Sequence, residues 1–169
     1  MFPTQTSTPN FASIFETVDH YWSENHIFQT SIDRRSDDNQ FRFYDGPPFV
    51  TGLPHYGHLA SSVAKDVIPR YQTMKGKKVD RVRGRDCHGI PIEQKVQAKL
   101  GLDSNLDIEK VGIETFVQGC YDYTRSTSSE WKRYIDQFAR WVDFDNSYKT
   151  MDNDYMESVR RVFKTLRDK

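Results

Sequence analysis

The sequence lacks most of what would mark a secreted, membrane-bound or strongly charged protein. Cysteine occurs only at Cys87 and Cys120, with neither a disulfide framework nor zinc-site spacing, which points to a reducing compartment and no disulfide. No apolar run approaches the length of a membrane span. Residues 1–10 have neither the basic nor the apolar region of a secretion signal and are expected to form a mobile tail. Neither charge dominates: Lys+Arg and Asp+Glu both number 24, so no basic field announces a nucleic-acid partner. Hydrophobic residues make up 36%, low for a globular domain, although aromatics at 14% are plentiful. Repeats and low-complexity segments are absent. What remains is a chain of 169 residues, long enough for one domain with a core and expected in the cytoplasm.

The information is concentrated in Asp45–His58, read as a β-type lead-in, a Gly/Pro-rich loop and a His-x-Gly-His tetrad. Phe41, Phe43 and Phe49 flank the loop as half-buried strand residues would, with a strand predicted at 41–44. From Gly57 onward, Leu59, Val63, Val67, Ile68 and Tyr71 recur at helical spacing, and Pro69 is expected to kink or shorten that helix. His55 and His58 therefore stand where a loop becomes a helix N-terminus. Unpaired N–H groups and the positive dipole end attract phosphate there, and imidazoles can donate to phosphoryl oxygens as charge develops. Gly57, without a side chain, would let a flat purine lie against the backbone. Metal chelation is the rival for two histidines three apart, but Cys87 and His88, the nearest extra ligands, adjoin each other without zinc spacing.

Elsewhere, Asn10 can cap a helix carrying Phe11, Ile14, Phe15, Val18, Tyr21 and Trp22 on one face, with a polar connector at 33–40. His20 and His26 read as exposed helix residues. A second strand is expected at 78–82, and Pro91 and Gly101 bracket a short helix. Residues 113–141 and 152–166 read as helices, with Phe116, Cys120, Tyr123, Ile135 and Phe138 in the core. This β-loop-α-β order opens a doubly wound α/β sheet, whose ligands bind at the carboxyl ends of its strands.

The tetrad resembles the HIGH signature of class I aminoacyl-tRNA synthetases, with Tyr56 in its variable place. Gly46-Pro47-Pro48, the block Gly84-Arg85-Asp86-Cys87-His88-Gly89-Ile90-Pro91-Ile92-Glu93 and the stretch Asp143–Met156 resemble the isoleucyl group within that class. The resemblance runs from about residue 11 to the end. It implies a partial, Rossmann-like catalytic domain over residues 11–169 that would activate isoleucine with ATP and Mg2+ and pass it to tRNA(Ile). By resemblance, His55 and His58 would be catalytic and bind ATP phosphates, Gly57 would support adenine, Asp86 would hold the substrate ammonium, and Gly46 and Pro47 would wall the isoleucine pocket. His88 reads as structural. No metal ligand is expected in the chain itself.

No Lys-Met-Ser-Lys-Ser loop, editing insertion or anticodon-binding region is present, so the chain alone is expected to be inactive without the rest of the synthetase. Exposed apolar surface and marginal stability are expected for the same reason. A free-standing nucleotide-binding module and a small nucleotidyltransferase with an HxGH loop are the alternatives. Arg also stands where the family has Trp, at Arg85, Arg160, Arg161 and Arg167, with Arg83 and Arg133 as further candidates. The resemblance leads to a glycine after Lys169. A genome reading CGG as Trp and UGA as Gly would give these replacements and this stop; a decaying gene fragment is the alternative.

Overall fold

The computed structural model of the protein describes residues 8–49 and 51–169, without the side chains of Ser128 and Ser129. The expected tail therefore falls, for residues 1–7, outside the described residues. The chain divides into two compact units, one of Met1–Arg42 with Arg70–Asp80 and the other of Phe43–Pro69 with Arg81–Lys169.

In the first unit, α1 (Phe11–Glu24) starts at the expected cap, where Asn10 Oδ1 accepts from Ser13 N at 3.2 Å. A second helix, α2 (Ile27–Asp33), was not legible in the sequence. It follows His26, which is exposed and in a left-handed conformation (φ 46°), a break between helices rather than a helix residue. The connector is fastened by Arg35, which donates to Thr73 O at 3.0 and 2.8 Å. Val79 is the most deeply buried side chain of this unit.

The helix α3 (Tyr56–Met74) starts in the second unit and runs through Pro69 to Met74, so the proline does not end it. Its expected apolar stripe does not face inward. Val63, Val67, Ile68 and Tyr71 are exposed, while Ser62, Pro69 and Thr73 are buried and Lys65 and Asp66 half-buried. Residues 41–48 form no strand and lie between two isolated bridges, Gln40–Lys78 and Phe49–Asp86. An extended segment needs a continuous ladder to be a strand, and here each bridge is single.

The sheet is the parallel pair β1 (Val82–Arg85) and β2 (Asp143–Lys149), joined through α4 (Ile90–Leu100), α5 (Asn105–Val111) and α6 (Ile113–Gln137). The second strand thus lies after its expected place at 78–82, and β2, α5 and the turn ending α6 at Gln137 are additions. Gly101 (φ 68°) ends α4 as expected. Ile92 and Val96 of α4 pack on α6, where Gly119 makes room: a Cβ there would sit 3.1 Å from Val96 Cγ1. Phe116 and Ile135 are buried as expected, and Cys120, Tyr123 and Phe138 half-buried. Finally, α7 (Asn153–Arg167) leaves Val159, Val162, Phe163 and Leu166 exposed. No helix among the described residues is long and apolar enough to cross a membrane.

Candidate nucleotide and amino-acid site

The start of α3 fixes the two histidines through their own backbone. His55 N donates to His58 Nδ1 at 3.1 Å, and Gly57 N donates to His55 Nδ1 at 3.1 Å. Each Nδ1 is therefore an acceptor, which puts the proton of the neutral ring on Nε2. The rings lie 4.0 Å apart, centroid to centroid. A Cβ at Gly57 would meet His55 Cε1 at 2.9 Å, so this glycine first makes room for the neighbouring imidazole. Desolvation, then the charges of His55, Lys65 and Arg83, push the His58 pKa below its usual value. His58 is thus neutral near pH 7, with Nε2–H as a donor.

Two side chains of α6 hold the loop before the tetrad. Trp131 Nε1 donates to Gly52 O at 2.7 Å and Tyr123 Oη to Thr51 O at 3.0 Å. Trp131 also meets the His58 ring edge-on at 4.9 Å. Tyr123 reads as core in sequence and Trp131 carries no signal there; nothing local shows that the two suspend a loop.

The start of the loop converges on Asp45, whose side chain is fully buried. Its carboxylate pairs with Lys65 at 2.8 Å and Arg140 at 3.2 Å, and accepts from Gly84 N at 3.2 Å. Tyr148 Oη donates to Asp45 O at 2.7 Å. Further on, Asp86 N donates to Pro48 O at 3.0 Å, placing Gly46 and Pro47 on the chain segment tied to the carboxyl end of β1. Asp86 itself follows that strand, half-buried, and accepts from His88 N at 3.3 Å. His88 is exposed. The candidate residues therefore fall into two groups, the imidazole pair and the Gly46–Pro47–Asp86 edge. Lys65, seven residues after His58 and so on the same face of α3, connects them.

Beside Asp86, a pocket of about 190 Å³ is lined by Cys87, Ile92, Phe116, Cys120, Tyr121 and Met151, among others. Burial pushes both thiol pKa values up, so neither is a reactive thiolate at neutral pH. Among the described residues, no cluster of three or more His, Cys, Asp or Glu is arranged to hold a metal ion.

The arginines for which the resemblance raises a tryptophan replacement differ sharply in setting. Arg160, Arg161, Arg167 and Arg133 are exposed, and Arg85 is half-buried over the Phe144 ring at 5.8 Å. Arg83 is 1% exposed, with its guanidinium 5.3 Å from the Trp131 ring and 4.8 Å from Phe144. Its Nε and Nη1 find no acceptor. Desolvation lowers its pKa to about 10.

The family tRNA synthetases class I (I, L, M and V) matches residues 17–169. The chain belongs to this family. An isoleucine--tRNA ligase of Wolbachia sp. subsp. Brugia malayi (strain TRS) is 51% identical over 168 residues, covering 99% of this chain and 15% of its own length. That of Rickettsia bellii (strain OSU 85-389) is 50% identical, with the same coverage of each chain. The chain thus spans about 15% of the length of these relatives. Among solved structures, the ternary complex of Agrobacterium radiobacter K84 agnB2 LeuRS with tRNA and LeuAMS matches with a TM-score of 0.68 and 21% identity. It covers 95% of this chain and 18% of that one, and shows the fold. The α/β architecture expected from the sequence is therefore that of a class I synthetase catalytic region.

Proposed function

We propose that this class I synthetase segment forms the ATP-phosphate and amino-acid side of an isoleucyl-adenylate site. The observation that supports the reading best is the imidazole pair at the start of α3, with both Nδ1 atoms occupied as acceptors and both Nε2–H groups left as donors. Attack of the isoleucine carboxylate on the α-phosphate of ATP expels pyrophosphate. The reaction needs positioning and charge stabilisation more than protein covalent chemistry. His55 and His58 supply Nε2–H donors to the phosphoryl oxygens, and Gly57 leaves room for the adenine. Asp86 offers a carboxylate to the substrate ammonium. Gly46 and Pro47 wall the side-chain pocket. Mg2+ arrives with ATP as part of the substrate.

In the whole enzyme the adenylate would pass its isoleucyl group to tRNA(Ile), in the cytoplasm. The match over residues 17–169 favours this reading over a small HxGH nucleotidyltransferase. The chain alone is expected to bind ATP or a non-hydrolysable isoleucyl-adenylate analogue weakly and to charge no tRNA, because the remainder of the synthetase supplies the other phosphate contacts. Calorimetric titration of the purified chain and of H58A tests this. Loss of binding in H58A supports the site, whereas equal affinity, or robust isoleucylation by the chain alone, overturns it.

A further inference from the structure

We propose that Lys65 is a positioning residue for the amino-acid end of the site, pinning Gly46 so that the Gly46–Pro47 wall keeps its place relative to Asp86. The inference rests on the adenylate reading above and assigns one more side chain to it. Lys65 Nζ reaches two groups of the loop: Asp45 Oδ1 at 2.8 Å and Gly46 O at 2.6 Å. The first contact is shared, since Arg140 pairs with the same carboxylate and Gly84 N donates to it. The bond to Gly46 is the distinctive one. Gly46 is exposed, and water would satisfy an exposed carbonyl equally well, so the consequence of the bond is geometric.

The loop is clamped on either side of that point. Asp45 is fixed by Arg140, Gly84 N and Tyr148, and Pro48 O is fixed by Asp86 N. Between these clamps, the hold on Gly46 comes from Lys65. The lysine rises from the α3 face that carries His58, two turns away. One rigid helix thereby sets both the phosphate donors and the amino-acid wall, and a side-chain pocket that must tell isoleucine from valine by one methylene needs such a fixed wall.

The test titrates isoleucyl-sulfamoyl-adenosine, valyl-sulfamoyl-adenosine and ATP into the full chain and into K65M, K65Q and K65R, with circular dichroism as the fold control. The expected result is a loss of about tenfold for the isoleucyl analogue in K65M and K65Q, about 1.4 kcal/mol, from a wall no longer held in place. The preference over the valyl analogue narrows, ATP affinity changes by less than about twofold, and K65R, which keeps a cationic donor, retains most of the preference. An unchanged isoleucyl affinity, an equal loss for all three ligands, or loss of the fold in both neutral variants overturns the proposal. Failure of the unsubstituted chain to bind either analogue overturns instead the adenylate reading on which it rests.

Discussion

Replacing Arg83 by Met is expected to stabilise the protein, an unusual direction for a change at a 1% exposed position. The guanidinium loses its hydration on folding, and two of its N–H groups find no acceptor. A buried donor left unmade costs about 1–3 kcal/mol. The rings of Trp131 and Phe144 return part of this, about 0.5–2 kcal/mol per cation–π contact. Replacing buried ionic groups by well-packed apolar side chains of similar volume is often neutral or stabilising by about 1–4 kcal/mol, and with two N–H groups unmade here R83M should gain about 1–3 kcal/mol. The pH dependence has a definite sign. A base whose folded pKa falls to about 10 destabilises the fold fully below that pH, and the penalty is relieved as pH rises through it. The gain in R83M is therefore complete at pH 7. Urea unfolding followed by tryptophan fluorescence measures it, and the midpoint should rise without a change in slope. Destabilisation by more than about 1 kcal/mol would show that the guanidinium has a stabilising partner and refute the reasoning. R83W tests the same socket with the residue expected from the reading of CGG as Trp. Peptide sequencing of the protein from its own cells, where trypsin should fail to cut after residue 85, tests that reading directly.

His58 should titrate below its usual pKa, so the His58 ring proton in NMR should shift only under acid conditions and stability should fall as pH drops through that range; a pKa at or above the ordinary histidine value contradicts this. G84A should cost about 1–3 kcal/mol or prevent folding, because its Cβ would overlap the Tyr148 ring, and thermal melts should show it. N10A should cost about 1 kcal/mol of α1 stability, read as local hydrogen exchange, and unchanged protection would show that the cap is idle. Cys87 should alkylate far more slowly at pH 7 than a free thiol, since burial holds it protonated.

Local signals were legible where they carried a mechanism. Asn10, Pro91 and Gly101 marked helix ends because capping and φ restrictions act within a few residues. The tetrad marked its own helix start for the same reason. Reading failed where long-range partners decide. The apolar spacing of Val63, Val67 and Ile68 identifies a helix but not which face is covered, and the covered face here carries buried Ser62 and Pro69 with half-buried Lys65 and Asp66. The lead-in Phe41–Tyr44 alternates in burial as a strand would, yet finds no continuous partner. β2 was hidden because its sequence, Asp143–Lys149, is polar and its pairing with β1 shifts register, with the Asp143 carboxylate accepting from Asp145 N and Asn146 N. Asp45 lay in the most informative stretch without announcing itself, since a buried carboxylate is recognised only by Lys65 and Arg140 arriving from elsewhere.

The measurement that bears most directly on the adenylate site is an NMR titration of the labelled chain with isoleucyl-sulfamoyl-adenosine, following the ring signals of His55 and His58 and the backbone amides of Gly46, Gly57 and Asp86. Saturable shifts at both histidines together with Gly46 and Asp86, suppressed by competing ATP at the histidines, are the expected result. Binding that shifts other residues and leaves these five untouched, or no binding at millimolar ligand, would contradict the account.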